Sequence, residues 1–204
     1  MKKLVFVKIF FATLVALTLI LCCNTAFVPT PKKVIVNVVY DSTAYKSTSD
    51  TIIHLPTTNL TWGSFLASPK PNTGTVANSA VGFKFTAGIT SNSQLTTVNI
   101  YISAFFIKSK SWGIEKNKTP YILNHEQQHF NIARYGAELL KRNIESQKYT
   151  DKNISENLNK AYGIAWTAYL KLQDQYDTES NHSIIKPKQE QWGTKIKNML
   201  LEIK

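Results

Sequence analysis

The segment His125-Glu126-Gln127-Gln128-His129 has the residue types and the spacing of a zinc-binding helix. An α-helix turns once in about 3.6 residues, so His125 and His129 project from one face, where a single zinc ion can bind both imidazoles. Glu126 lies beside the first histidine, where its carboxylate can accept a proton from an attacking water molecule. The motif therefore predicts a hydrolytic site with Zn²⁺ as cofactor, His125 and His129 as ligands, and Glu126 as the catalytic residue.

The geometry of two paired helices indicates where a third zinc ligand lies. A second helix that begins near residue 154 and returns antiparallel reaches the level of His129 near Leu172, and that of His125 near Tyr176, because both helices rise about 1.5 Å per residue. We therefore expect the end of this helix, and a turn predicted over Asp177–Ser183, to return to the metal.

Few residues of the chain can serve as the third ligand. The chain has four histidines, which are His54, His125, His129 and His182. His182 is the predicted third ligand because imidazole is the commoner zinc donor, and Asp177 in the same segment is the alternative. His54 is predicted to lie on the surface at a strand end. Tyr176 is a candidate hydrogen-bond donor to a developing oxyanion.

Two kinds of element must position these residues. Residues 27–112 are rich in β-branched and aromatic side chains, and strands are predicted at Lys32–Tyr40, Thr51–Leu55, Val81–Ala87 and Leu95–Ile107. Thr119-Pro120 opens a helix that runs to about Gln147, and further helices are predicted from Ser155 to Tyr176 and from Gln189 to Ile203. The pattern indicates an α+β fold in which a mostly antiparallel, twisted sheet precedes an active-site helix and an antiparallel second helix. The Leu95–Ile107 strand is expected to offer an edge to an extended substrate.

The first residues have the pattern of a targeting segment. Lys2 and Lys3 precede an apolar run, Leu4 to Leu21, and Ala26 offers a small residue for cleavage. We predict a signal peptide or lipoprotein-type segment over residues 1–26 and a single domain over residues 27–204. The protein is expected to be exported, as a periplasmic, outer-membrane lipoprotein or extracellular protein. Membrane attachment through the N-terminus, with lipid on Cys23, is the alternative to a cleaved signal.

Composition excludes several classes of function. The only two cysteines, Cys22 and Cys23, lie in the targeting segment, so a disulfide framework, a cysteine zinc site and a cysteine nucleophile are excluded. The formal charge is +11, but three of these charges lie in the targeting segment. The other lysines are scattered and accompany no recognition motif, so we expect a solvated basic surface and no nucleic-acid partner.

Four motifs resemble those of a known bacterial family, domain of unknown function 922, whose members are predicted secreted zinc-dependent proteases. Leu60–Phe65 is similar to its LTW-x-x-F opening, and Lys110–Trp112 to its KSW. Leu123–Ile132 is similar to LNHEQ-x-HFDI, and Tyr176–Ser183 to YD-x-ET-x-H. The resemblance covers roughly residues 58–195.

The resemblance implies a zincin-like fold, with His125 and His129 as ligands and Glu126 as the catalytic residue. It also implies that the segment from Asp177 to His182 completes the site. Asn131 stands where the family usually has an aspartate, and Ser180 where threonine is common. We therefore expect a zinc-dependent peptidase of the bacterial cell envelope that acts on a peptide or protein substrate. The alternative is a non-catalytic envelope binding module that keeps the zincin fold.

Overall fold

A sheet followed by three helices positions the predicted site residues. A computed structural model describes residues 32–40, 48–70 and 74–202, so the predicted targeting segment lies outside the described residues. The main elements are β1 (Lys33–Tyr40), β2 (Thr51–Ile53), β3 (Ala77–Asn78), β4 (Val81–Ser91), β5 (Leu95–Ile107), β6 (Trp112–Gly113), α1 (Pro120–Glu145), α2 (Ile154–Ser180) and α3 (Lys186–Glu202). The predicted α+β class is confirmed.

The longest strand, β5, lies at the centre of the main sheet. On one side β1 pairs with its first part in parallel, from Lys33 opposite Leu95 to Tyr40 opposite Ile102, and β2 pairs with its end antiparallel. On the other side β4 pairs with it antiparallel along all of its own length. The expectation that β5 offers an edge to a substrate is therefore wrong, because both of its edges are hydrogen-bonded within the sheet.

One face of β5 forms the floor of the core. Alternate residues along a strand point to the same face, and most residues on this face are branched or aromatic. Val98, Ile100, Ile102 and Phe106 are fully buried. Helix α1 packs on this face, so the strand and the helix that carries the zinc motif share one core.

Helix α1 begins where the sequence predicts. The Thr119 side chain accepts a hydrogen bond from the Ile122 N–H, and Pro120 occupies the first turn, where its missing N–H has no consequence. Gly136 lets the helix approach the sheet closely. A Cβ at this position would lie 2.7–2.8 Å from the Phe83 ring and 3.2 Å from the Tyr169 Cβ.

Helix α2 returns antiparallel to α1, as predicted. Hydrogen bonds join His125 to Asp177, His129 to Gln173 and Asn143 to Ala161, so residue numbers fall along α2 as they rise along α1. The helix does not end near Tyr176, however. It continues to Ser180, because the left-handed residue that ends it is Asn181. The turn predicted over Asp177–Ser183 is therefore wrong in its first half, and Asp177 lies on the helix.

The third helix and a small strand pair close the structure around α1 and α2. Trp192 and Ile196 of α3 are buried in the core. Strand β3 pairs with β6, and the flanking Val76 and Ala80 carbonyls accept hydrogen bonds from residues 114 and 107. No helix among the described residues is long and apolar enough to cross a membrane.

Candidate metal centre

Three side chains from α1 and α2 bring their polar atoms to one point. The Nε2 atoms of His125 and His129 are 3.1 Å apart, and Asp177 Oδ1 lies 3.1 Å from the first and 3.0 Å from the second. The two histidines are one turn apart on α1, and Asp177 is at their level on the antiparallel helix. Among the described residues, these three form the group of histidine, cysteine and acidic side chains that can share one metal ion.

The triangle has the dimensions of a metal site. A tetrahedral zinc ion with ligands at about 2.0–2.1 Å separates its donor atoms by about 3.3 Å, close to the three observed edges. Two imidazole nitrogens and one carboxylate oxygen are also zinc donors by type. The residues present therefore fit a zinc ion with three protein ligands and an open fourth position.

Glu126 lies beside the three donors without belonging to their group. Its side chain is buried, and Oε2 has no hydrogen-bond partner among the described residues. Glu126 also lines a cavity of about 230 Å³ together with His125, His129 and Asp177. An unpaired carboxylate oxygen in such a place is free to accept a proton from a molecule bound in the cavity.

Gln173 fixes the orientation and the tautomer of His129. The side-chain Nε2 of Gln173 donates to the His129 carbonyl at 3.0 Å, so its Oε1 is the atom that faces the ring. His129 Nδ1 donates to this oxygen and must therefore carry a hydrogen. Neutral His129 then presents an unprotonated Nε2 to the triangle, which is the form that binds a metal.

Without a metal ion, a protonated His129 and the carboxylate of Asp177 hold the triangle together. Burial lowers the pKa of His129, but the hydrogen bond to Asp177 and the Glu126 carboxylate outweigh it and raise this pKa to about 9. Burial raises the pKa of Asp177, but its contacts with His125 and His129 hold it well below its usual range. At neutral pH the metal-free site therefore contains an imidazolium paired with a carboxylate.

His182 lies at the mouth of the site, on a strained turn. Asn181, His182 and Ser183 have φ values of 46°, 49° and 76°, and for residues other than glycine this region costs about 1–3 kcal/mol each. The Ser183 carbonyl accepts a hydrogen bond from the Tyr121 hydroxyl at 2.8 Å, which anchors the turn. His182 Nδ1 is 3.6 Å from Asp177 Oδ1, and its side chain is 48% exposed. The structure thus brings both predicted candidates for the third ligand to the site, with Asp177 inside the triangle and His182 beside it.

The part of the chain that contains the triangle and the strained turn matches a known protein family. Residues 109–183 match the model of a family described as "Bacterial protein of unknown function (DUF922)". Residues 109–183 are therefore similar to this family. The match runs from just before β6 to the end of the strained turn, so it includes all the residues of the triangle, and it confirms the predicted family resemblance. No curated protein and no solved structure matches the chain.

The ring of Tyr176 packs against both histidines of the triangle. Its ring stacks on His125 with centroids 4.6 Å apart and meets the edge of His129 at 5.1 Å. Tyr176 is fully buried and is not among the residues that line the cavity. Burial and the nearby Glu126 carboxylate raise the pKa of Tyr176 far above its usual range, so its hydroxyl keeps its proton.

His54 is buried against the opposite face of α1, so its predicted surface position is wrong. Its exposure is 6%, and its ring meets the edge of Phe130 at 4.7 Å. Its Nε2 lies 3.0 Å from Asn131 Oδ1. Asn131 therefore supports His54, and no hydrogen bond links it to the triangle. Burial lowers the pKa of His54 to about 4.

The sequence did not predict two parts of the site. One is Gln173, which lies one residue from Leu172, the position expected at the level of His129. The other is the segment of residues 75–79, which lines the same cavity as the metal donors. Strand β3 within this segment has only two residues, too few to show a period in the sequence.

Proposed function

We propose that this protein is a zinc-dependent peptidase of the bacterial cell envelope, with a zincin-like arrangement of its active-site helix. One observation carries the proposal. Two histidine nitrogens and a carboxylate oxygen form a triangle with edges of 3.0–3.1 Å, and a buried glutamate with an unpaired oxygen lies next to it in the same cavity. The targeting pattern of residues 1–26 supports export to the envelope.

In this proposal His125, His129 and Asp177 hold the zinc ion. Asp177 replaces His182 as the preferred third ligand, because its oxygen already lies at ligand spacing from both histidines. Asp177 is also carried by a helix packed against α1, whereas His182 is half exposed on a turn. Zinc in this place would polarise a substrate carbonyl and lower the pKa of a water molecule.

Glu126 acts as the proton carrier in the proposed reaction. Its carboxylate accepts a proton from the attacking water and passes it to the amide nitrogen that leaves. Residues 75–79 take over the role expected of β5, since they line the same cavity as the metal donors. An extended peptide can bind along this segment through its backbone groups.

The first experiment separates metal binding from catalysis. The purified domain is expected to bind one zinc ion per chain, and Glu126→Gln is expected to keep the metal but lose peptide hydrolysis, because the amide cannot accept the proton. Glu145→Gln, a change of the same kind in the last turn of α1, serves as the control and should keep both properties. A wild-type protein that takes up no zinc at saturating supply would refute the proposal.

A second experiment identifies the third ligand. Asp177→Asn is expected to weaken zinc binding by more than the roughly 10- to 100-fold that loss of a residue supporting a ligand causes. His182→Asn should weaken it less than tenfold. The opposite order of effects would make His182 the ligand.

The alternative function is a non-catalytic envelope binding module with a structural metal. The position of His182 favours it, because a fourth protein donor at the mouth would close the coordination sphere. The two functions differ in what a small zinc-binding ligand does. Acetohydroxamate should bind the zinc of an open catalytic site but not that of a closed structural site, and cobalt substitution would show the difference in the visible spectrum.

A further inference from the structure

The cavity beside the metal donors has apolar as well as polar lining residues. Its apolar lining residues are Val76, Ala77, Val81, Ile122, Tyr169 and Leu170. Its polar lining comes from the donors, Glu126 and Gln173, from polar residues of the segment 75–79, and from His182 and Ser183. The hydroxyl of Tyr169 donates to the Val81 carbonyl at 2.9 Å, so this polar end already has a partner. What these apolar residues offer a ligand is therefore mainly hydrocarbon and the ring of Tyr169.

The charge of the cavity further restricts the class of side chain that a ligand can place there. No lysine or arginine is among the residues that line it, and its carboxylates are Glu126 and Asp177. An acidic side chain would meet repulsion without a counter-charge. A basic side chain would gain little once a zinc ion offsets the two carboxylates. An uncharged side chain is thus the best match.

Size and exposure point to one large side chain. A volume of about 230 Å³ lies below the roughly 300–1,000 Å³ of pockets that enclose drug-sized ligands. It accommodates one bulky side chain with the adjacent peptide unit. Leu170 lines the cavity although it is 49% exposed, and Ile184 and Ile185, which directly follow the lining residues His182 and Ser183, are also exposed.

We infer that the substrate is a peptide with a bulky, uncharged, apolar side chain next to the bond that is cleaved, and that this side chain binds against Leu170 and Tyr169. The inference rests on the proposed peptidase function. It adds a substrate class to that function, since neither the zinc triangle nor Glu126 selects among peptides.

Hydroxamates that differ only in one side chain test the inference by affinity. The probes are amino-acid hydroxamates with no side chain, an isobutyl, a carboxyethyl or an aminobutyl group, titrated calorimetrically into the zinc-loaded protein. Burial of an isobutyl group is expected to strengthen binding about 10- to 100-fold over the probe without a side chain. The carboxyethyl probe should gain nothing.

Paired variants of α2 locate the effect. Leu170→Ser should reduce the advantage of the isobutyl probe about tenfold and leave the probe without a side chain unchanged. Ile164→Ser is the matched control, because Ile164 lies on the same helix at 50% exposure but does not line the cavity. Both residues are half exposed, so neither variant is expected to impair folding.

The titration distinguishes failure of the inferred substrate class from failure of the proposed peptidase function. Equal affinity for all four probes, or a preference for a charged one, would overturn the inference and leave the zinc site standing. If no probe binds a protein that holds one zinc ion, the open catalytic site fails and the substrate class fails with it.

Discussion

Gln173→Leu removes the amide that determines which nitrogen of His129 carries the hydrogen. In the wild type, Gln173 accepts from Nδ1 and donates to the His129 carbonyl, so both ends of the amide are used. Leucine has a similar size but neither donor nor acceptor. The zinc-bound ring of His129 must carry its hydrogen on Nδ1, and in the variant this Nδ1–H has no acceptor in Gln173.

The size of the effect follows from the lost hydrogen bonds. A residue that orients a ligand histidine is typically worth 10- to 100-fold in metal affinity, or about 1.4–2.8 kcal/mol. This range agrees with about 1–3 kcal/mol for a buried polar group that loses its partner. Gln173→Glu keeps an acceptor for Nδ1–H and should bind zinc at least tenfold more tightly than Gln173→Leu.

Zinc affinity is measured by competition with a chromogenic chelator, and the tautomer by nitrogen NMR of histidine-labelled, zinc-loaded protein. Gln175→Leu, on the same helix but outside this hydrogen-bond pair, is the control and should bind zinc like the wild type. If Gln173→Leu binds zinc within threefold of the wild type, the argument from the tautomer is wrong.

Three further predictions concern protons and packing. Because the pKa of His129 is about 9 without metal, zinc binding at pH 7 should release about one proton. The apparent zinc affinity should also fall about tenfold for each pH unit below 9. Calorimetry in buffers of different ionisation enthalpy would measure both effects. The pKa of His54 is about 4 in the folded state, below its usual 6.5, so the unfolded state binds the extra proton in this window. The free energy of unfolding should therefore decrease by up to about 3 kcal/mol, through His54, as the pH falls from 6.5 to 4. In urea unfolding, His54→Asn should show a smaller pH dependence than the wild type. Gly136→Ala should destabilise the protein by about 1–3 kcal/mol in thermal unfolding, because the added methyl would collide with the Phe83 ring.

Local sequence patterns predicted the helices and strands well, but they did not predict which distant residues lie together. Pro120 and its capping threonine mark the start of α1, and the branched run of β5 was predicted over its full length. The central position of β5 depends on β1 and β4, which approach it from distant parts of the chain or through a hairpin. The burial of His54 similarly depends on Phe130, 76 positions away in the sequence. No periodicity within one segment carries such information.

The site was predictable to the extent that helix geometry is regular. Equal rise along two antiparallel helices placed the levels of the two histidines at Leu172 and Tyr176, and the observed partners are Gln173 and Asp177, one residue further in each case. The preference for His182 rested on ligand chemistry and did not use the length of α2. A helix that continues past its expected end carries Asp177 directly to the histidines, while the turn leaves His182 outside.

The ion pair between His129 and Asp177 bears on whether the protein needs a metal ion in order to fold. It ties α1 to α2 with a proton in the place proposed for zinc, so these helices do not need the ion in order to pair. Under the proposed function, folding and metal loading would then be separate reactions, and the local zinc supply and acidity would determine after folding how many molecules hold the ion.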